Sequence, residues 1–107
     1  MNVQVTARRF KAHDSLREYA QSEVSKLERY YDNIIGADVI LSFEKPRDSV
    51  KTAEISLSVF GKKMLAKESS DDFIKSIGLA IEKLERQLKR YKTKKRDKKR
   101  ISTKVLL

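Results

Sequence analysis

Ala53, Ile55, Leu57 and Val59 alternate with Glu54, Ser56, Ser58 and Phe60. A period of two belongs to an extended strand whose side chains point to opposite faces, so this run buries one face and wets the other. Two further segments read the same way. Val3, Val5 and Ala7 alternate with Asn2, Gln4 and Thr6, and Ala37, Val39, Leu41 and Phe43 alternate with Asp38, Ile40, Ser42 and Glu44. Between the second and third strands KPRDSV breaks the pattern, because Pro46 has no N–H to donate to a ladder. Gly61-Lys62 reads as a tight turn into a shorter strand over residues 63–67. Strands with one polar and one apolar face suit a sheet wetted on one side and covered on the other.

The cover comes from two helical patterns. Leu16, Ala20, Val24, Leu27 and Tyr31 recur at three- and four-residue spacing and share a face of a helix of roughly sixteen residues. Asp14 and the Ser15-Leu16-Arg17-Glu18 box supply start signals, His13 is an alternative first capping position, and Gly36 closes the unit. A second helix opens at Ser69-Ser70-Asp71-Asp72, where hydroxyls cap orphan amides and carboxylates favour the positive end of the helix dipole. Its apolar face is Phe73, Ile77, Ala80, Ile81, Leu84, Leu88 and Tyr91. No apolar residue follows until Ile101, so beyond Tyr91 the helix either projects into solvent or frays. The sum is an α+β chain, β-α-β-β-β-α, with a four-stranded mixed sheet and both helices on one face. The first crossover makes strands one and two parallel and right-handed. At 107 residues the chain holds one small domain, residues 1–100, with 101–107 as a tail or linker, and it shows no internal repeat.

Several function classes lose support. No run of eighteen apolar residues spans a bilayer, and MNVQVTARRF lacks the apolar stretch of a secretory signal. The absence of cysteine excludes disulfides and thiolate metal sites and fits a reducing, cytoplasmic compartment. His13 is the only histidine, there is no Gly-rich phosphate loop, and Asp71 and Asp72 are explained by capping. A hydroxyl nucleophile would need an oriented base that the chain does not offer. No enzyme activity, cofactor, metal, membrane or small-molecule substrate is expected.

The charge points elsewhere. Residues 89–100, KRYKTKKRDKKR, hold nine Lys or Arg against one acid, a local +8 of the net +10, whereas residues 1–88 are near neutral with fifteen bases and fourteen acids. Such clustering is rewarded by a polyanion, because each neutralised phosphate releases condensed counterions. Measured from Leu84 at 100° per residue, Lys83 falls at about −100°, Arg86 at about −160°, Arg90 at about −120° and Lys94 at about −80°, a single flank. Glu82, Glu85 and Lys89 fall on the other side. Lys92 and Lys95 extend the basic run; Lys26 and Arg29 lie on one flank of the first helix, Arg17 on the opposite one, and Arg8-Arg9 end the first strand. Tyr30, Tyr31, Phe10, Phe60 and Tyr91 are expected in the core or at its rim, a base-stacking role requiring an exposed ring.

Two motifs are more specific. Leu16-Arg17-Glu18-Tyr19 followed by Lys26-Leu27-Glu28-Arg29-Tyr30-Tyr31-Asp32 resembles the LREY…KLE-x-YFD signature of the ribosome hibernation promoting factor and ribosome-associated inhibitor A family, also called sigma-54 modulation proteins. Asp72-Phe73-Ile74-Lys75-Ser76-Ile77, with Ile81-Glu82-Lys83-Leu84-Glu85-Arg86-Gln87-Leu88 and Lys89-Arg90-Tyr91-Lys92, is similar to its DMYAAID…IDKLxRQLxKxK pattern. The resemblance implies a fold related to double-stranded RNA-binding domains. It implies a stress or stationary-phase factor on the small ribosomal subunit, in the channel used by mRNA and by A- and P-site tRNA. There it blocks initiation and protects idle ribosomes, and some members promote ribosome dimers. The family's basic helix residues map to Lys26, Lys83, Arg86, Arg90 and Lys94. Joined to the charge reading, the expected contacts with 16S rRNA are Arg8, Arg17, Lys26, Arg29, Lys83, Arg86, Lys89, Arg90, Lys92, Lys94 and Lys95, made by a monomeric domain. Lys75-Ser76 and Leu79-Ala80 depart from the family's frequent Ala-Ala and Gly-Leu, which bears on local packing. The dimerisation domain of long members does not follow Leu107, leaving a short form or a long form cut in its linker. The sigma-54 name carries an alternative, a regulator that docks its basic helix on an acidic protein.

Overall fold

In a computed structural model that describes residues 1–44 and 50–106, and side chains through Lys92, the period-two runs become one four-stranded sheet. The expected connection at Pro46 lies outside the described residues. The strands are β1 (Asn2–Ala7), β2 (Ile34–Glu44), β3 (Val50–Val59) and β4 (Lys62–Ser70), in spatial order β1-β2-β3-β4. β1 runs parallel to β2, as a helical crossover requires, and the remaining pairs are antiparallel. Register aligns the apolar positions in rows: Val5, Val39, Ile55 and Ala66 lie side by side, and so do Val3, Ala37, Leu57 and Met64.

These rows face α1 (Asp14–Ser25) and α2 (Phe73–Leu106), both packed on the same side of the sheet. Ala20, Val24 and Leu27 from the first helical unit meet Ile77, Ala80, Leu84 and Leu88 of α2 over the sheet, all essentially without solvent contact. Each buried Leu or Ile contributes about 1.5–3 kcal/mol relative to exposure, so this layer holds the domain together. Phe10, Phe43 and Phe73 stack at the end where β1 leaves the sheet, with ring centroids 4.8–5.3 Å apart. From there α2 runs antiparallel to β4: Gln87 Nε2 donates to the Leu65 carbonyl at 3.0 Å, and the Tyr91 hydroxyl donates to the Phe60 carbonyl at 3.2 Å. The helix then continues past the sheet to Leu106, settling the choice between projection and fraying in favour of a continuous helical backbone.

Several boundaries differ from expectation. The first helix gives way at Lys26 to a 3₁₀ turn over Lys26–Arg29, and His13 is its N-cap residue without a side-chain capping bond. Gly36 does not end that unit; it pairs with Asn2 inside β2, where a Cβ would come within 3.1 Å of the Asn2 carbonyl oxygen. β4 is longer than residues 63–67 because it pairs with β3 as far as Ser70, which removes Ser69 and Ser70 from the helix start. Asp72 takes over that duty, its Oδ1 accepting from the Ile74 N–H at 2.9 Å.

Candidate nucleic-acid interface

From Phe73 to Lys92, α2 carries Lys75, Lys83, Arg86, Lys89, Arg90 and Lys92 against Glu82 and Glu85, so its solvent side is basic before the densely charged run begins. Burial of Ile77, Leu84 and Leu88 fixes the helix rotation, leaving Arg86, Lys89, Arg90 and Lys92 exposed. Arg86 and Arg90 make no ion pair with any carboxylate among the described residues. Lys94 and Lys95 lie outside the residues whose side chains are described.

Of the expected flank, Lys83 has a partner on the sheet. Lys83 leans over β4, and its ammonium pairs with Glu68 Oε1 at 2.5 Å; the lysine is about half exposed. Glu68 is partly buried while the lysine end is open to water, so the bond orients Lys83 over β4 while its ammonium stays accessible. On the other flank Lys89 sits 5.3 Å above the Tyr30 ring, at the exit of the 3₁₀ turn. That contact joins the basic side of α2 to the turn bearing Lys26 and Arg29. Arg29 is exposed, whereas Lys26 pairs with Glu23 Oε1 at 2.7 Å, an i,i+3 partner in the last turn of α1.

Two candidates stand apart from this cluster. Arg17 is half buried, and its Nη1 donates to the Val5 carbonyl at 2.8 Å, fastening α1 to the outer strand β1. Arg8 is exposed at the far end of the sheet, where its N–H bonds the Leu41 carbonyl at 2.9 Å and Arg9 turns the chain with φ 63°. The contiguous cationic surface is therefore Arg86, Lys89, Arg90 and Lys92, bordered by Lys83 on one side and by Lys26 and Arg29 on the other.

Sequence reasoning misplaced one aromatic. Tyr30, Tyr31, Phe10 and Tyr91 are half buried at the core rim as expected, with Tyr31 meeting Tyr91 edge-on at 5.4 Å. Phe60 instead stands in solvent at the β3–β4 turn, beside exposed Lys62 and Lys63. Its place in the alternation, in phase with Glu54, Ser56 and Ser58, was the available signal. Among the described residues no three His, Cys, Asp or Glu side chains gather as a metal centre requires, and no helix is long and apolar enough to cross a membrane.

Known proteins resemble the chain in both sequence and shape. The model for the family described as sigma 54 modulation protein / S30EA ribosomal protein matches residues 3–96. A ribosome hibernation promoting factor of Azotobacter vinelandii is 33% identical over 94 residues, covering 88% of this chain and 85% of the relative. A ribosome hibernation promotion factor of Bacillus subtilis is 28% identical over 88% of this chain, which spans only 50% of that longer relative. The crystal structure of the Thermus thermophilus Protein Y N-terminal domain superposes with a TM-score of 0.76 at 29% identity, covering 85% of this chain and 99% of that one. A ribosomal subunit interface protein from Coxiella burnetii superposes with a TM-score of 0.79 at 26% identity, covering 87% and 99%.

Proposed function

The chain belongs to the sigma 54 modulation protein / S30EA ribosomal protein family, and from that membership we propose that it is a cytoplasmic ribosome hibernation factor. It occupies the mRNA and tRNA channel of the small subunit, lays the outward side of α2 against 16S rRNA, and so inhibits initiation while idle ribosomes persist. The observation that carries this reading is the pair Arg86 and Arg90. Both guanidinium groups are exposed, one turn apart, and without an internal carboxylate among the described residues. A planar guanidinium reaches two phosphate oxygens at once, which suits recognition of a backbone rather than of base edges. The half-exposed ammonium of Lys83 remains within reach of a phosphate while Glu68 holds it over β4.

Binding of this kind is driven by counterion release and leaves a measurable signature. If Lys83, Arg86, Arg90 and Lys94 each neutralise one phosphate, log affinity falls against log salt with a slope of about −3 or steeper. Sedimentation of the protein with purified small subunits over a salt series reads this slope directly. A flat profile rules out the phosphate-contact mechanism. Failure to pellet with subunits at any salt favours an acidic protein as the partner.

A further inference from the structure

Phe60 is the most exposed large apolar side chain among the described residues, at 78%. It occupies the tip of the hairpin between β3 and β4, where Gly61 at φ 74° lets the chain reverse. Ile35, 65% exposed, lies beside it, because β2 and β3 pair through Ile34 and Val59 and the register shifts between Ile34 and Gly36. With Tyr31 and Asn33 these side chains line an open cleft of about 460 Å³. The hairpin tip is fixed: the Tyr91 hydroxyl donates to the Phe60 carbonyl at 3.2 Å, tying it to α2 where the basic run begins.

Two lysines follow Phe60 across the turn. The Lys62 ammonium lies 5.8 Å over the Tyr91 ring, and Lys63 follows it, exposed. Asp32 is the one acid in the connection between the 3₁₀ turn and β2. A ligand that gains from both features has a flat apolar face and a string of negative charges. Unpaired nucleotides have both, whereas a duplex hides its base faces and an apolar protein segment gains nothing from the lysines.

We propose that Phe60 is a stacking platform for an unpaired RNA base, with Asn33 facing the base edge and Lys62 and Lys63 holding the flanking phosphates. The proposal rests on the RNA-binding reading above and adds the class of RNA met at this end of the molecule: an unstacked single strand rather than a helical groove.

The chain contains no tryptophan, so Phe60→Trp places a single fluorescent reporter at the hairpin tip. Titration with a short oligoadenylate should quench its emission, while a blunt RNA duplex of equal length should not. Phe60→Ala should weaken both oligoadenylate and small-subunit binding about fivefold or more. It should leave the thermal midpoint and the salt slope as in the wild type, and Phe60→Tyr should retain affinity. Full small-subunit affinity in Phe60→Ala, with no quenching of the tryptophan variant, overturns the proposal. So does sedimentation equilibrium showing self-association abolished by Phe60→Ala, which makes the patch an interface between copies, or quenching by an isolated ribosomal protein instead of RNA. Failure of the broader reading looks different, because the wild-type protein then does not pellet with subunits at all.

Discussion

Ser76 is a hydroxyl fully buried on the apolar face of α2, at a position where the resemblance leads one to expect alanine. The structure gives it partners from two strands: its Oγ donates to the Lys51 carbonyl at 2.7 Å and lies 2.7 Å from Ser70 Oγ. The departure from the family pattern is thus a cross-link between the start of α2 and the β3–β4 pair. Ser76→Ala removes both bonds, although Ser70 Oγ keeps its bonds to Asp72, and should cost about 1 kcal/mol, a fall in the thermal midpoint of roughly 4–8 °C; an unchanged melt shows that the hydroxyl contributes nothing. The same scale explains why charge is unequally legible. Periodicity places Lys83, Arg86 and Arg90 outside the core, but nothing near Lys83 in sequence announces Glu68, which comes from another strand. Lys83→Glu would set two carboxylates face to face, so Arg86 and Arg90 are the cleaner positions for testing binding. Arg17 likewise reads as a surface cation until β1 offers it the Val5 carbonyl.

Helix α2 is one element with two duties. As far as Leu88 it is a wall of the core, and afterwards it is a carrier of charge. Residues 93–107 hold seven Lys or Arg against Asp97 alone, and among the described side chains Leu88 is the last of the helix to be fully buried. A chain ending at Lys92 should therefore keep its melting temperature within a few degrees, since surface changes away from the core are usually worth less than about 0.5 kcal/mol. Its affinity for small subunits should fall steeply at physiological salt. Loss of cooperative melting would show instead that the segment belongs to the fold. Elements with one apolar face were largely legible: both helix stripes and the inward residues of the first three strands follow from periodicity. What escaped were places where backbone pairing decides. The start of β2 is set by the pairing of Ile34 with Val59 ahead of a register shift, and the end of β4 by pairing with β3 out to Ser70, and neither carries a local side-chain signal. Phe60, expected in the core or at its rim, instead followed the polar phase of its strand, a signal that its hydrophobicity masked.

At the scale of the whole molecule the charge and the core are arranged lengthwise. The molecule extends 62 × 25 × 18 Å, with the phenylalanine cluster where β1 leaves the sheet and the tyrosines, Phe60 and the basic side of α2 at the opposite end. A body near neutrality bearing cations at one end is steered end-on toward a polyanion, which fits entry into a channel better than adhesion to a broad surface. Fold order and family were legible from the sequence because two motifs and the periodicities agree; the partners of Lys83 and Lys89 were not, because they depend on how α2 seats between β4 and the 3₁₀ turn. The central claim is that Arg86 and Arg90 neutralise ribosomal phosphates. It is tested most directly by comparing the salt dependence of small-subunit binding for the wild type and for Arg86→Gln/Arg90→Gln, both confirmed folded by thermal melting. Two lost phosphate contacts predict a slope shallower by about 1.4–1.8. An identical slope in the folded double variant would contradict the account.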